Sequence, residues 1–346
     1  MAALLGPNGA GKTTTLEILE GYQPPSDGVV EVLGSPPRRA GRAWRARIGL
    51  VLQSTSLDAH LTVGEALGVY AGLYPRPRPT PGRGCRRMPE PATTAERLPG
   101  PLPVLAGQLR YQLLLLLRNP NGLMAGVVLP VLLLVLAGTQ HARLPVAALA
   151  GRVVLGVTLI AYLTHAAGLV AAREAGALKR WRATPLPRWC WFAGRIWATL
   201  LLALASGAVT LLAGVTLYHA RVGTGAALSL LAALTLGALA WAGVGTAVTA
   251  FIPAAEAAQP LLSLGYVPVM LLSGVLGAVA GAPGWLTALL GDLPGRPTVD
   301  AVTRALETTG GTLSLPGRDL AVLAAWGVGG LLASVALFRW EPRATR

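Results

Sequence analysis

Six stretches of this chain, near residues 120–139, 153–172, 196–218, 226–251, 258–281 and 320–338, contain no Asp, Glu, Lys or Arg. At about 1.5 Å of rise per helical residue, about 20 residues reach across the hydrocarbon core of a bilayer. A chain with that pattern is committed to the membrane. Its composition agrees, with 53% hydrophobic and 13% charged residues and a mean hydropathy of +0.55, and this excludes an ordinary soluble protein. Pro130 in the first stretch and Gly265, Pro268 and Gly274 in the fifth predict bends or close helix packing.

Charge divides the chain into three parts. Residues 1–74 carry six basic and six acidic residues in soluble-domain patterning. Residues 75–101 form a Pro/Arg-rich linker that begins Pro75-Arg76-Pro77-Arg78-Pro79 and is expected to be extended and disordered. Residues 102–346 hold the six apolar stretches. The net charge of +14 flanks these stretches rather than forming a nucleic-acid footprint, so no nucleic-acid partner is expected. An even number of spans puts both ends of the membrane domain on one side. Eleven Lys and Arg residues on that side against six on the other predict cytoplasmic termini in a plasma-membrane protein. No signal-peptide pattern precedes the first span, which is expected to serve as its own insertion signal. Two cysteines, Cys85 and Cys190, cannot make a disulfide framework.

Gly6-Pro7-Asn8-Gly9-Ala10-Gly11-Lys12-Thr13-Thr14 fits G-x-x-x-x-G-K-[ST] between an apolar entry and a helical run. Glycines there let successive N–H groups turn inward as an anion nest, and the helix amino terminus adds its positive end. The nucleotide-binding set is Gly6, Asn8, Gly9, Gly11, Lys12, Thr13 and Thr14, with Lys12 reaching the terminal phosphates and Thr13 a weak Mg²⁺ ligand. Lys12 is the only lysine before Lys179. Strands are expected within Gly28–Gly34 and Arg47–Gln53.

Taken together, the loop, these segments and Leu61-Thr62-Val63-Gly64-Glu65-Ala66-Leu67 resemble the start of an ABC transporter ATPase domain. The resemblance implies ATP and Mg²⁺ as cofactors and gives Gln53 a place beside Mg²⁺ and the attacking water. It stops near Tyr74. No LSGGQ-like signature, Asp-Glu strand or switch histidine comes after it, and between Ala66 and Ala172 the only acids are Glu90 and Glu96 in the linker. The expectation is an incomplete α/β P-loop fragment that binds nucleotide weakly at best, with no catalytic residues of its own. About 70 residues would also bury too little surface for a secure fold.

The membrane half resembles the permease of type-2 ABC exporters through Leu117-Arg118-Asn119-Pro120, the loop from Arg173 and Glu174 through Leu178, Lys179 and Arg180 to Pro185, and Pro253–Pro260. Leu102–Arg118 reads as an interfacial amphipathic helix or as an early start to the first span. The resemblance implies a coupling helix around 174–188 that docks on an ATPase, an outward helical segment around 282–312, a permease dimer and an intact ATPase subunit as partner. The coupling residues it nominates are Arg173, Glu174, Leu178, Lys179, Arg180 and Pro185. His165, with Tyr162 and Thr164, is expected to pack inside the bundle, because polar groups are costly in lipid. Asp292, Asp300, Glu307 and Asp319 read as a solvated outer loop rather than a metal site.

The expected fold is therefore mainly α, a six-helix polytopic membrane protein behind an α/β fragment. The expected role is export of hydrophobic drugs, antibiotics or lipids as the permease subunit of an ABC exporter. A self-contained ATPase-permease fusion, and a nucleotide-sensing or non-functional membrane protein from a degraded gene, remain alternatives.

Overall fold

A computed structural model describes residues 3–51, 60–75, 98–140, 144–220, 222, 226–275, 283–308 and 317–337. Gln53 and most of the Pro/Arg-rich linker lie outside the described residues.

Two helices stand out in the amino-terminal part: Lys12–Leu19 (α1), directly after the glycine loop, and Val63–Ala71 (α2). A capping box starts α2. The Thr62 hydroxyl accepts from the Glu65 N–H, and the Glu65 carboxylate accepts from the Thr62 N–H. The two expected strands are not formed among the described residues, where the only bridge joins Val32 to Ser35. Leu5, Val29 and Val51 are 91%, 87% and 92% exposed, although they read as strand residues. The reason is physical. A strand is held by ladders to its neighbours, and after Tyr74 the chain turns to proline instead of supplying more strands.

The membrane part begins with Pro101–Leu117 (α3), whose first turn holds two prolines and whose end is set by Pro120. One face of α3, Val104, Gln108, Tyr111, Gln112 and Leu116, is buried. It lies along the helix Arg188–Tyr218, so close that a Cβ added at Gly194 would fall 2.9 Å from the Gln108 Cβ. This stretch is thus a helix of its own before the first span, and its buried face, which includes Gln108 and Gln112, packs on protein and is not an apolar stripe.

Five helices among the described residues are long and apolar enough to cross a membrane. They are Pro120–Thr139 (α4), Val146–Glu174 (α5), Arg188–Tyr218 (α7), Ala226–Val248 (α8) and Ala255–Leu272 (α9); the short Ala177–Ala183 (α6) links α5 to α7. The sixth apolar stretch falls on Gly317–Leu337 (α12), 21 residues that pack along α8. Gly330 and Gly243 allow that contact, because a Cβ on Gly330 would lie 2.7 Å from the Gly243 backbone. Between α9 and α12, Gly284–Asp292 (α10) and Gly295–Glu307 (α11) form the helical segment expected around 282–312. This is a polytopic helical membrane protein.

The central helix is α5, and 83% of its apolar window is buried by other helices. The first span is irregular where Pro130 predicts it. Pro130 has no N–H for the Gly126 carbonyl, and a π-helical turn over Met124–Val128 precedes it. The Ser206 hydroxyl on α7 donates to that carbonyl at 2.5 Å, so the polar group is satisfied in hydrocarbon. His165 on α5 is 1% exposed, with Nδ1 2.9 Å from the Thr199 hydroxyl and Nε2 2.9 Å from the Thr246 hydroxyl. It fastens α5 to α7 and α8, as the packing reading expects.

Candidate functional site

In the phosphate loop, Gly9 and Gly11 have φ of +85° and +79°, values that L side chains rarely adopt. No atom lies within 4 Å of a Cβ built on either, so backbone conformation and not crowding is what requires glycine. Gly11 enters α1 without a side-chain cap, leaving the first N–H groups of the helix open to an anion. Gly6, Asn8, Thr13 and Thr14 are exposed along the same edge. Lys12 Nζ folds back to donate to the carbonyls of Gly6 and Pro7, each at 2.6 Å. The nest, the uncapped helix end and the lysine suit a phosphate chain, and Thr13 suits its Mg²⁺. No group of three or more His, Cys, Asp or Glu that could hold a metal occurs among the described residues.

The helix that begins at this loop ends at the loop singled out in the membrane half. Glu17 on α1 pairs with Lys179 at 2.5 Å, and the next residues of the chain bring Tyr22 onto the same spot. The Tyr22 hydroxyl donates to the Lys179 carbonyl at 2.8 Å, and its ring lies 5.1 Å from the Lys179 ammonium and 5.0 Å from the Arg182 guanidinium. Burial raises the Glu20 carboxyl above its ordinary range, with Lys179 opposing the rise.

A second contact comes from α2. Tyr70 stacks on Trp181 of α6 at 4.7 Å, and Tyr111 of α3 meets that indole in a T-shaped contact at 5.2 Å. Leu73, 3% exposed, joins Val104, Leu169, Leu178, Trp181 and Leu186 in one buried apolar cluster. Arg118 grips both Glu65 carboxylate oxygens at 2.7 Å. That hydrogen bond, then those from Thr62, hold the Glu65 carboxyl down at about 2. Between the two contacts, Arg42 donates to the Pro185 carbonyl at 2.6 Å and the Pro99 carbonyl at 3.2 Å. Burying a leucine stabilises by about 1.5–3 kcal/mol, a stacked aromatic pair adds about 1 kcal/mol, and an exposed ion pair adds about 0–1 kcal/mol. The apolar cluster therefore holds the contact, and the charges set its register.

The nominated coupling residues separate in space. Lys179 and Pro185 touch the amino-terminal part directly. Leu178 is buried beneath them in the apolar cluster, Arg180 is half-buried and Glu174 is exposed. Arg173 points the other way, donating to the Thr249 and Ile252 carbonyls at 2.9 and 2.6 Å just past the end of α8. A cation at those carbonyls complements the negative end of the helix. Sequence reasoning missed Glu17, Tyr22, Arg42, Tyr70, Leu73, Arg118 and Trp181 as one surface. The available signal was Trp181 between Arg180 and Arg182, but nothing in sequence pairs it with Tyr70, 111 positions earlier.

Of the four acids from α10 to the start of α12, three are paired with arginines: Asp300 with Arg296 at 3.7 Å, Asp319 with Arg304 at 3.3 Å and Asp292 with Arg318 at 3.5 Å.

Residues 108–306 match the ABC-2 type transporter family, and residues 1–110 match the ABC transporter family. Nod factor export ATP-binding protein I of Paraburkholderia xenovorans is 48% identical over 71 residues, 20% of this chain and 23% of that protein. The protein of the same name from Sinorhizobium fredii is 46% identical over 76 residues, 21% of this chain and 22% of its own length. The one from Ralstonia nicotianae is 38% identical over 111 residues, 32% of this chain and 34% of that protein. The chain therefore spans about a quarter to a third of the length of these relatives. Because the first match covers more than half of the residues, including helices α4, α5, α7, α8 and α9, the chain belongs to the ABC-2 type transporter family, with an ABC transporter ATP-binding segment at its amino end.

Proposed function

We propose that this chain is the permease subunit of an ABC exporter in the plasma membrane, with both termini cytoplasmic and with ATP hydrolysis supplied by a separate, intact ATPase subunit. The observation that carries this reading is the short helix α6 between two spans, where Lys179, Trp181 and Pro185 already contact ATPase-type sequence. A force applied to α6 passes into α5 and α7, which are continuous with it in the chain. Arg173, one turn before α6, ties that movement to the end of α8.

Two such permeases would form the transport pathway, alternating between inward and outward access. Hydrophobic drugs, antibiotics or lipids suit a bundle built from apolar spans. The relatives are named for Nod factor export, but they match this chain over only part of its length. In the amino-terminal segment, Gly9, Gly11 and the open end of α1 would cradle phosphates, Lys12 would pair with them and Thr13 would face Mg²⁺. Nucleotide bound there supplies charge to be held. The carboxylate that would position water for hydrolysis has no counterpart in residues 1–74.

Reconstituted in liposomes, the chain alone should show no ATP hydrolysis above background. Together with an intact ABC ATPase subunit it should support ATP-dependent movement of a lipophilic dye. Hydrolysis by the purified chain alone would replace this reading with a self-contained fusion.

A further inference from the structure

We propose that the amino-terminal segment is a cover for the coupling surface, held in cis, so that a separate ATPase subunit reaches α6 only when the segment lifts away. The proposal rests on the coupling role assigned to α6 and adds the occupant of that surface. Three separate contacts place described residues between Glu17 and Leu73 on it. Glu17 and Tyr22 take the Lys179 and Arg182 edge, Arg42 takes the Pro185 carbonyl, and Tyr70 and Leu73 take Trp181 and the cluster beneath it. Trp181 is 2% exposed, with Tyr70 stacked on its ring and Tyr111 edge-on to it, which leaves it covered against a second protein. Glu65 draws on Arg118, at the junction of α3 and α4, and anchors the cover to the membrane domain away from α6.

The segment is suited to hold and to release. It buries Leu73 and one face of Tyr70 but leaves Leu5, Val29 and Val51 to solvent, so its attachment is small beside its own unsatisfied apolar surface. Its polar anchors are partly exposed ion pairs, which salt and competing charge weaken.

The chain carries its own reporter. Lys12 and Lys179 are its only lysines, one on the exposed phosphate loop and one under the cover. In the full-length protein in nanodiscs, acylation of Lys179 by a succinimidyl ester is read by mass spectrometry against Lys12. Tyr70→Ala and Arg118→Glu, neither of which touches Lys179, should each raise the Lys179 to Lys12 ratio about fivefold, as expected for loss of an anchor at a small interface. Adding Glu65→Gln to Arg118→Glu removes the charge repulsion and keeps the helix cap. It should return the ratio toward that of the unaltered chain, and a misfolded variant would not recover in this way. Unchanged Lys179 reactivity in both single variants overturns the cover directly.

The second readout is capture of the purified Nod factor export ATP-binding protein I of Paraburkholderia xenovorans, used as a complete ATPase probe. Capture about fivefold stronger by the two loosened variants than by the unaltered chain, in which the segment must first lift away, is expected. Equal capture by all three overturns exclusion. Capture by none, with Lys179 uncovered, overturns the proposal by way of the coupling role on which it rests.

Discussion

The two parts of this chain show what hydrophobic residues do with and without partners. In the bundle, α5 is covered on nearly every side and even its polar residues find partners: His165 between two hydroxyls, and Arg173 on two carbonyls. In the amino-terminal part, residues of equal hydrophobicity such as Leu5 and Val51 are left in solvent. The difference lies in the neighbours each part is given along the chain. Every apolar helix of the bundle has another nearby that can cover it, whereas the glycine loop and first helix lead into proline-rich chain. The fragment therefore borrows its burial from α3, α6 and α7 through Leu73 and Tyr70. Local motif geometry survives without a sheet, but a strand does not.

The sharpest way to break this contrast is to crowd the bundle. A Cβ at Gly151 would collide with the Val275 carbonyl, whereas one at Gly9 would meet nothing. Gly151→Val should abolish a monodisperse folded protein on size-exclusion chromatography in detergent, a loss of more than about 4 kcal/mol by overpacking and backbone displacement. Gly9→Val strains only the positive-φ turn of an exposed loop, so it should distort the phosphate nest but leave the elution profile unchanged.

Next in size, Arg173→Ala should lower thermal stability by about 3 kcal/mol, because two buried carbonyls past α8 lose a charged donor. A thermal shift measurement in detergent would read it, and an unchanged midpoint would deny Arg173 its place in the bundle. Glu174→Ala, one residue on and exposed, should shift the midpoint little.

Between the two regions, Tyr70→Ala should weaken attachment of the fragment by about 2 kcal/mol while leaving the bundle alone. Faster hydrogen exchange in residues 60–75, with unchanged exchange in 146–174, is the expected pattern. Acid acts at the same junction. The Glu65 carboxyl is held at about 2, below an ordinary value of 4.5, so its contribution is fully present above pH 4.5 and is lost as pH falls toward 2. Exchange in 60–75 should rise over that window and not between pH 5 and 8.

The smallest effect on stability belongs to the phosphate loop. Lys12→Ala removes two exposed hydrogen bonds to carbonyls and should shift unfolding by less than about 0.5 kcal/mol. Binding of a fluorescent ATP analogue should nonetheless fall, and unaltered binding would detach the loop from nucleotide altogether.

Much of the membrane fold was legible because a bilayer imposes one length and one composition on every span. Five of the six apolar stretches give helices that meet both criteria, the fifth of them ending at Leu272 and not at 281, and the sixth lies on α12. Pro130 announced the irregular turn before it, because its missing N–H is a local property. The strands failed because the pattern near Val29 and Val51 describes residues that would be buried if neighbours existed, and it cannot report that they are missing. The loop from Arg173 to Pro185 was legible as a short connection between two spans but not as a set of contacts: Lys179 and Pro185 face the fragment, whereas Arg173 faces the end of α8.

By itself, then, the sequence determined the features that depend on adjacent residues and on the solvent: the membrane helices, the glycine nest before α1, and the start of α4 at Asn119-Pro120. Only the tertiary structure decided which surface the fragment occupies. Tyr70 meets Trp181, Glu65 meets Arg118 and Glu17 meets Lys179 across 111, 53 and 162 positions. Such pairs leave no periodicity in the chain. They exist because a fragment with too little core of its own buries its remaining apolar side chains on the nearest apolar neighbour that carries the opposite charge.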